Sequence, residues 1–106
     1  MELKNLYDTI LERKKEKAEN SYTCYLFEKG LDKILKKIGE ESSEVIIAAK
    51  GDDGEAIKEE ICDLLYHLVV LMIEKNITLD EIDEILKGRG QKTGNLKTFH
   101  KVDNNS

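Results

Sequence analysis

Lys37-Ile38-Gly39-Glu40-Glu41-Ser42-Ser43-Glu44-Val45-Ile46-Ile47-Ala48-Ala49-Lys50 leads through Gly51-Asp52-Asp53-Gly54 into Ala56-Ile57-Lys58-Glu59-Glu60-Ile61-Cys62-Asp63-Leu64-Leu65-Tyr66-His67. Both arms have the apolar spacing of amphipathic helices, and the Gly-Asp-Asp-Gly between them reads as a turn. Each arm carries a carboxylate pair three residues apart, Glu41 with Glu44 and Glu60 with Asp63. Residues at that spacing share one helix face. Ile38 and Val45 bracket Glu41, and Ile57 and Leu64 bracket Glu60, so the acids point toward the packed side. A short turn forces the arms to run antiparallel. With its centre near residue 52 or 53 and a rise of about 1.5 Å per residue, Glu44 falls opposite Glu60, and Glu41 opposite Asp63. The expectation is a compact square of four carboxylates. Ionised acids taken out of water in such numbers ask for a cation. With no Cys or paired His nearby, the all-oxygen donor set suits Mg²⁺, Mn²⁺ or Ca²⁺ better than zinc or copper.

Around this hairpin the chain is small and strongly charged. Its 106 residues include 37% charged and 40% apolar side chains, no Pro and no Trp. The apolar residues are periodic, which excludes a disordered chain and favours an all-helical single domain. A net charge of −5 argues against a nucleic-acid polymer as partner. A small phosphorylated ligand remains compatible, because a metal and local lysines override the net charge. No apolar run is long enough to span a membrane, and the charged start from Glu2 does not read as a secretory leader. Cys24 and Cys62 lack metal-type spacing and read as reduced, packed residues of a cytoplasmic protein.

Leu3, Leu6, Tyr7, Ile10 and Leu11 predict a first helix over 3–19, whose basic run Arg13-Lys14-Lys15 reads as a solvated face. Asn20-Ser21-Tyr22-Thr23 breaks the pattern and caps a short helix over 24–29, with Gly30 ending it. Helices over 31–50 and 55–75 follow. Gly39 is an interior weakness or a place of close approach. The second arm is apolar around most of its circumference from Leu64 on, which predicts burial in the core or in a subunit interface. Thr78 and Glu81 form a capping box for a last helix carrying Ile82, Ile85 and Leu86, which Gly88-Arg89-Gly90 should stop. Residues 97–106 form a polar tail beyond a domain of 1–96.

Lys33, Lys36 and Lys37, within two turns of Glu41, together with Arg89 and Lys92, supply cations for a phosphate chain. Taken alone, the lysine run and the acids are ordinary solvated surface, and only the matched register argues otherwise. Glu59 points away from the pair and is read as solvated. Glu40 stays open as an additional ligand. His67, one turn after Asp63, reads as a core histidine in preference to a partner of the acid site, and Tyr66 as core.

Several segments carry a resemblance: Ser21-Tyr22-Thr23, Leu26-Phe27-Glu28-Lys29-Gly30, Asp32 through Glu41, Glu44-Val45, Glu60-x-x-Asp63-Leu-Leu-Tyr-His67, and the end of the last helix with Arg89. Together they resemble the phosphoribosyl-ATP pyrophosphatases, the histidine-biosynthesis branch of the MazG-like all-α nucleotide pyrophosphohydrolases. The resemblance covers about residues 3–96. It implies a MazG-like bundle of four to five helices completed by dimerisation, and Mg²⁺-dependent hydrolysis of phosphoribosyl-ATP to phosphoribosyl-AMP and pyrophosphate in the cytoplasm. It also implies metal binding by Glu41, Glu44, Glu60 and Asp63, with Glu40 as a further ligand or base. Some relatives carry a fused cyclohydrolase domain, and this chain resembles the stand-alone form. In mechanism, Glu41 or Glu44 is expected to take the proton of the attacking water, while the lysines and Arg89 neutralise phosphate. Two alternatives stand beside this expectation: a house-cleaning hydrolase of free (d)NTPs from the same superfamily, and a non-enzymatic helical dimerisation module.

Overall fold

A computed structural model of the chain describes residues 2–17, 19 and 21–90. Five helices follow one another: α1 Glu2–Glu16, α2 Tyr22–Lys29, α3 Leu31–Gly51, α4 Gly54–Glu74 and α5 Leu79–Gly90. No strand occurs among the described residues, and the all-α expectation holds.

The helix boundaries have local causes. Ser21 caps α2, its hydroxyl accepting from the Cys24 amide at 3.2 Å. Gly30 ends α2 at φ 90°, ψ −170°, where its N–H reaches the Leu26 carbonyl at 2.9 Å, and α3 begins at the next residue. The α3–α4 turn is tighter than the four residues that spell it, since Gly51 and Gly54 both belong to helices. Asp52 closes α3 in the left-handed region at φ 58°. Asp53 caps α4 by accepting from the amides of Glu55 at 3.1 Å and Ala56 at 3.3 Å. At the start of α5 the capping box is reciprocal. The Thr78 amide donates to Glu81 Oε1 at 2.8 Å, and the Glu81 amide to Thr78 Oγ1 at 3.1 Å.

The antiparallel α3–α4 hairpin forms the most extensive helix contact. The helices α1 and α2 lie across it and close a core of Ile10, Leu26, Ile34, Val69, Val70 and Ile73. Helix α5 stands largely apart. None of its residues is buried, although the Tyr7 hydroxyl donates to the Ile77 carbonyl at 2.8 Å just before it.

Three expectations are corrected here. The first helix ends at Glu16 in place of 19, because its last turns carry no apolar residue to pack. The last helix runs through Gly88-Arg89-Gly90, which glycine weakens without breaking. Cys62 is exposed, while Cys24 is half-buried with its thiol donating to the Arg13 carbonyl at 3.1 Å. The expectation for α4, burial in the core or in a subunit interface, is met in the core by Val69, Val70 and Ile73, while Ile61 and Leu65 are 42% and 41% exposed in the single chain. A Cβ at Gly39 would meet nothing within 4 Å, so within this chain the position is a tolerated weakness, not a close approach. Lys92 and the tail 97–106 lie outside the described residues.

Candidate functional site

The hairpin brings acids together much as its register requires. Glu41 of α3 and Glu60 and Asp63 of α4 each place one carboxylate oxygen within 4.8 Å of the other two. Glu44 is exposed and stands outside this triad, so the square is three acids and a neighbour. It still faces Glu60: partial burial pushes the Glu60 carboxyl above its ordinary value, and among nearby charges Glu44 acts most strongly, followed by Asp63, Glu41 and Glu59. Register fixes the height of a residue along a hairpin but not its angle about the axis. Three residues further along α3, Glu44 is turned by about 60° from Glu41.

Lys37 is the cation at the edge of the triad. Its Nζ lies 3.1 Å from Glu40 Oε2 and 3.8 Å from Glu41 Oε1. The Glu41 side chain is only 14% exposed and Glu40 48%. Glu40 is therefore the outward partner of Lys37, not a member of the triad, and its hydrogen bond to Lys37 holds its carboxyl below the ordinary value. Lys36 is exposed on α3 beside Glu40. Lys33 sits one turn earlier, its Nζ 6.0 Å from the centroid of the Tyr25 ring. Arg89 lies in the last turn of α5, exposed, and forms no ion pair with the triad among the described residues.

The histidine expectation holds with an addition. His67 is buried, and its Nδ1 lies 2.7 Å from the Asp63 carbonyl. A carbonyl only accepts, so Nδ1 carries the proton. Nε2 then accepts from the Tyr22 hydroxyl at 2.9 Å. The imidazole thus ties α2 to the turn of α4 that carries Asp63. Tyr66 is half-buried and hydrogen-bonds Thr23.

Tyr22 and Tyr25 are the residues that sequence reading missed. In the sequence, Tyr22 reads as part of a helix break and Tyr25 as one residue of the short helix that follows. The structure places them as half-exposed rings beside the acid site, in a stack running Tyr66, Tyr22, Tyr25 with centroids 6.1 and 6.2 Å apart. Burial raises the Tyr22 phenol, Lys37 opposes that rise, and Tyr66, Glu41 and Glu40 add to it, which puts the ring within electrical reach of the site. Their spacing of three on a capped helix was the available signal.

Fold and site define an all-α protein whose longest hairpin gathers carboxylates beside lysines, an arrangement suited to phosphate chemistry. A sequence model described as phosphoribosyl-ATP pyrophosphohydrolase matches residues 3–90, and the chain belongs to that family. Among its relatives, the phosphoribosyl-ATP pyrophosphatase of Clostridium botulinum (strain Hall) is 57% identical over 98 residues, covering 92% of this chain and 89% of that protein. The protein of the same name from Streptococcus gordonii is 48% identical over 101 residues, covering 95% and 97%. A histidine biosynthesis bifunctional protein of Caldanaerobacter subterraneus is 56% identical over 90 residues, which span 85% of this chain and 44% of that longer one.

Proposed function

We propose that this chain hydrolyses phosphoribosyl-ATP to phosphoribosyl-AMP and pyrophosphate, a step of histidine biosynthesis. The observation that carries the reading is the convergence of Glu41, Glu60 and Asp63 within a chain that shares 57% of its aligned residues with a protein of that name.

The donor set fits a hard divalent cation. It consists of carboxylate oxygens only, on two helices in register, and the Glu60 carboxyl is pushed up first by burial and then by the negative charge of Glu44, Asp63, Glu41 and Glu59. Mg²⁺ is the natural choice, with Mn²⁺ as the alternative. Glu41, Glu60 and Asp63 would hold it, and when bound it supplies Lewis-acid charge to phosphate oxygens and makes water more acidic. The remaining work falls to the chain. Glu44 faces Glu60 yet stays outside the triad, so its carboxylate is free to take the proton of the attacking water. Glu41, as triad member, orients that water. Lys37 exchanges its pairing with Glu40 for a phosphate oxygen, a charge-assisted contact, while Lys33 and Lys36 continue the positive edge along α3. Arg89 and Lys92 complete the phosphate contacts from a second chain, since α5 stands apart from the hairpin of its own.

The active form is accordingly a homo-oligomer, most simply a dimer, in which the partner covers the exposed isoleucines and leucine of α3 and α4. No described helix is long and apolar enough to cross a membrane, and we place the enzyme in the cytoplasm. A panel of nucleotides assayed for pyrophosphate release tests the reading. Phosphoribosyl-ATP should be turned over only with Mg²⁺ or Mn²⁺, and Glu44→Gln should lower kcat by roughly 10²–10⁴-fold, the usual size of a general-base loss. Good turnover of dUTP or dCTP with none of phosphoribosyl-ATP overturns it in favour of a house-cleaning hydrolase.

A further inference from the structure

The basic run that closes α1 has no part in the chemistry above, yet it borders a sizeable cleft. Where the end of α1 meets α2, a cavity of about 880 Å³ is lined by Lys14, Lys17, Tyr22, Cys24, Tyr25 and Phe27, with Glu19 and Glu28 also bordering it. Lys14 is folded over it, its Nζ 4.9 Å from the centroid of the Phe27 ring. The Tyr25 ring is 41% exposed and has the ammonium groups of Lys29 and Lys33 at 5.9 and 6.0 Å from its centroid. Tyr22, 45% exposed, stacks on Tyr25 and is fixed through His67 to the backbone of Asp63. Tyr22 thus belongs to the cleft and is tied through His67 to the turn of α4 that carries Asp63. Lys37 pairs with Glu41 of the triad, Lys33 lies by the Tyr25 ring, and Lys14 and Lys17 line the cleft itself. From Glu41 back to Lys33 along α3 is about 12 Å at the helical rise.

A substrate with the name phosphoribosyl-ATP has a matching order of parts. It has a triphosphate at one end, a purine in the middle, and a second ribose phosphate borne on the purine. Its two anionic ends need cations on both sides of an aromatic platform, and aromatic rings stack bases with little regard to edge chemistry. We propose that the α1–α2 cleft receives the purine and its phosphoribosyl arm. Tyr22 and Tyr25 stack the base, and Lys14 and Lys17 bind the distal phosphate. This subsite, resting on the proposed substrate, selects phosphoribosylated nucleotides over plain ones. Tyr22 stays in place because His67 accepts its hydroxyl proton from one side while donating to the Asp63 carbonyl on the other. The base platform is thus held to the backbone of the residue that supplies one carboxylate of the triad.

The test is a binding comparison on the full chain with Mg²⁺, using phosphoribosyl-AMP and AMP as probes in a calorimeter, beside turnover of phosphoribosyl-ATP. The wild type should bind phosphoribosyl-AMP at least about tenfold more tightly than AMP, the scale of a charge-assisted phosphate contact. Lys14→Gln with Lys17→Gln should bring that ratio to about threefold or less. Tyr25→Ala should weaken both probes together, because both carry the base. Circular dichroism controls for folding, which these positions, none of them buried, should leave intact. An unchanged ratio in the double-lysine variant of a wild type that does turn over phosphoribosyl-ATP overturns the cleft assignment alone. A wild type that does not turn it over removes the substrate reading and the subsite with it.

Discussion

At the scale of single residues the triad is a site of conflict before it is a site of chemistry. Burial and the charges of Glu44, Asp63, Glu41 and Glu59 all push the Glu60 carboxyl above its ordinary value. A carboxyl whose folded pKa exceeds its unfolded one holds more proton in the folded state, so stability falls as pH rises through the interval between the two values. Above that interval the loss is complete; below the unfolded value it disappears. Without metal, Glu60→Gln should therefore melt higher than the wild type near pH 7, and the gap should close as pH is lowered below about 4.5. With Mg²⁺ the proposed metal site predicts the inverse order. A ligand at 100 times its Kd stabilises by about 2.7 kcal/mol, which for a domain of this size raises Tm by roughly 4–8 °C per kcal/mol, and the variant lacks one of the three negative charges. Thermal scans in chelator and in Mg²⁺ across pH 4 to 8 check both halves. A Glu60→Gln protein that melts lower than wild type in chelator near pH 7 would mean that Glu60 is satisfied by contacts other than a cation.

At the scale of elements, what could be read from the sequence was whatever the helical period and the turn chemistry dictate. The long apolar stripes from Leu31 to Ala49 and from Ile57 to Ile73, with Asp52 and Asp53 between them, allow one local solution. The pairing of Glu41 with Asp63 and of Glu44 with Glu60 follows in height. Angle about the axis depends on how the helices roll against each other, and so the separation of Glu44 from the triad was not legible. Nor was the cleft, because the placing of α1 beside α2 rests on long-range contacts of Ile10, Leu26 and Val70, for which no local pattern exists. Two glycines show the same contrast between local and tertiary causes. Gly30 sits at φ 90°, which L side chains rarely adopt, so Gly30→Ala should cost about 1–3 kcal/mol and loosen the angle at which α2 presents Tyr22, raising KM as well as lowering Tm. Gly39 lies mid-helix with nothing near its absent Cβ, so Gly39→Ala should stabilise by about 0.5–1 kcal/mol through helix propensity alone. Chemical denaturation of the two variants reads the opposite signs. A destabilised Gly39→Ala would locate a close approach there by a second chain.

At the scale of the whole molecule, the core is small for the hairpin it supports. Among the described residues six apolar side chains are buried, while Leu35, Ile46, Ile47, Ile61, Leu65, Ile85 and Leu86 remain between 41% and 64% exposed. Single exposed apolar residues are ordinary on a protein surface. Here they recur along the two longest helices: Ile47 lies one turn beyond Glu44 on α3, and Ile61 and Leu65 lie one turn apart on α4, on either side of Asp63. A face of this kind is covered in a stable protein, and a second copy of the hairpin offers the same apolar residues by symmetry. That arrangement would also close the triad from the side on which Glu44 is open to water, and bring α5 with Arg89 toward a neighbouring centre. If the hairpin pairs in the proposed dimer, Ile47→Glu should shift the protein toward monomer in sedimentation while leaving its helical circular dichroism close to wild type. It should also depress pyrophosphate release at concentrations where the wild type is dimeric, although position 47 lies outside the triad. Ile85→Glu on α5 separates the two roles: it should weaken activity with a smaller effect on assembly if α5 serves the phosphate and the hairpin carries the interface. A wild type that sediments at 12.1 kDa under assay conditions, with full activity, would place the complete site in one chain and return the exposed isoleucines to ordinary surface.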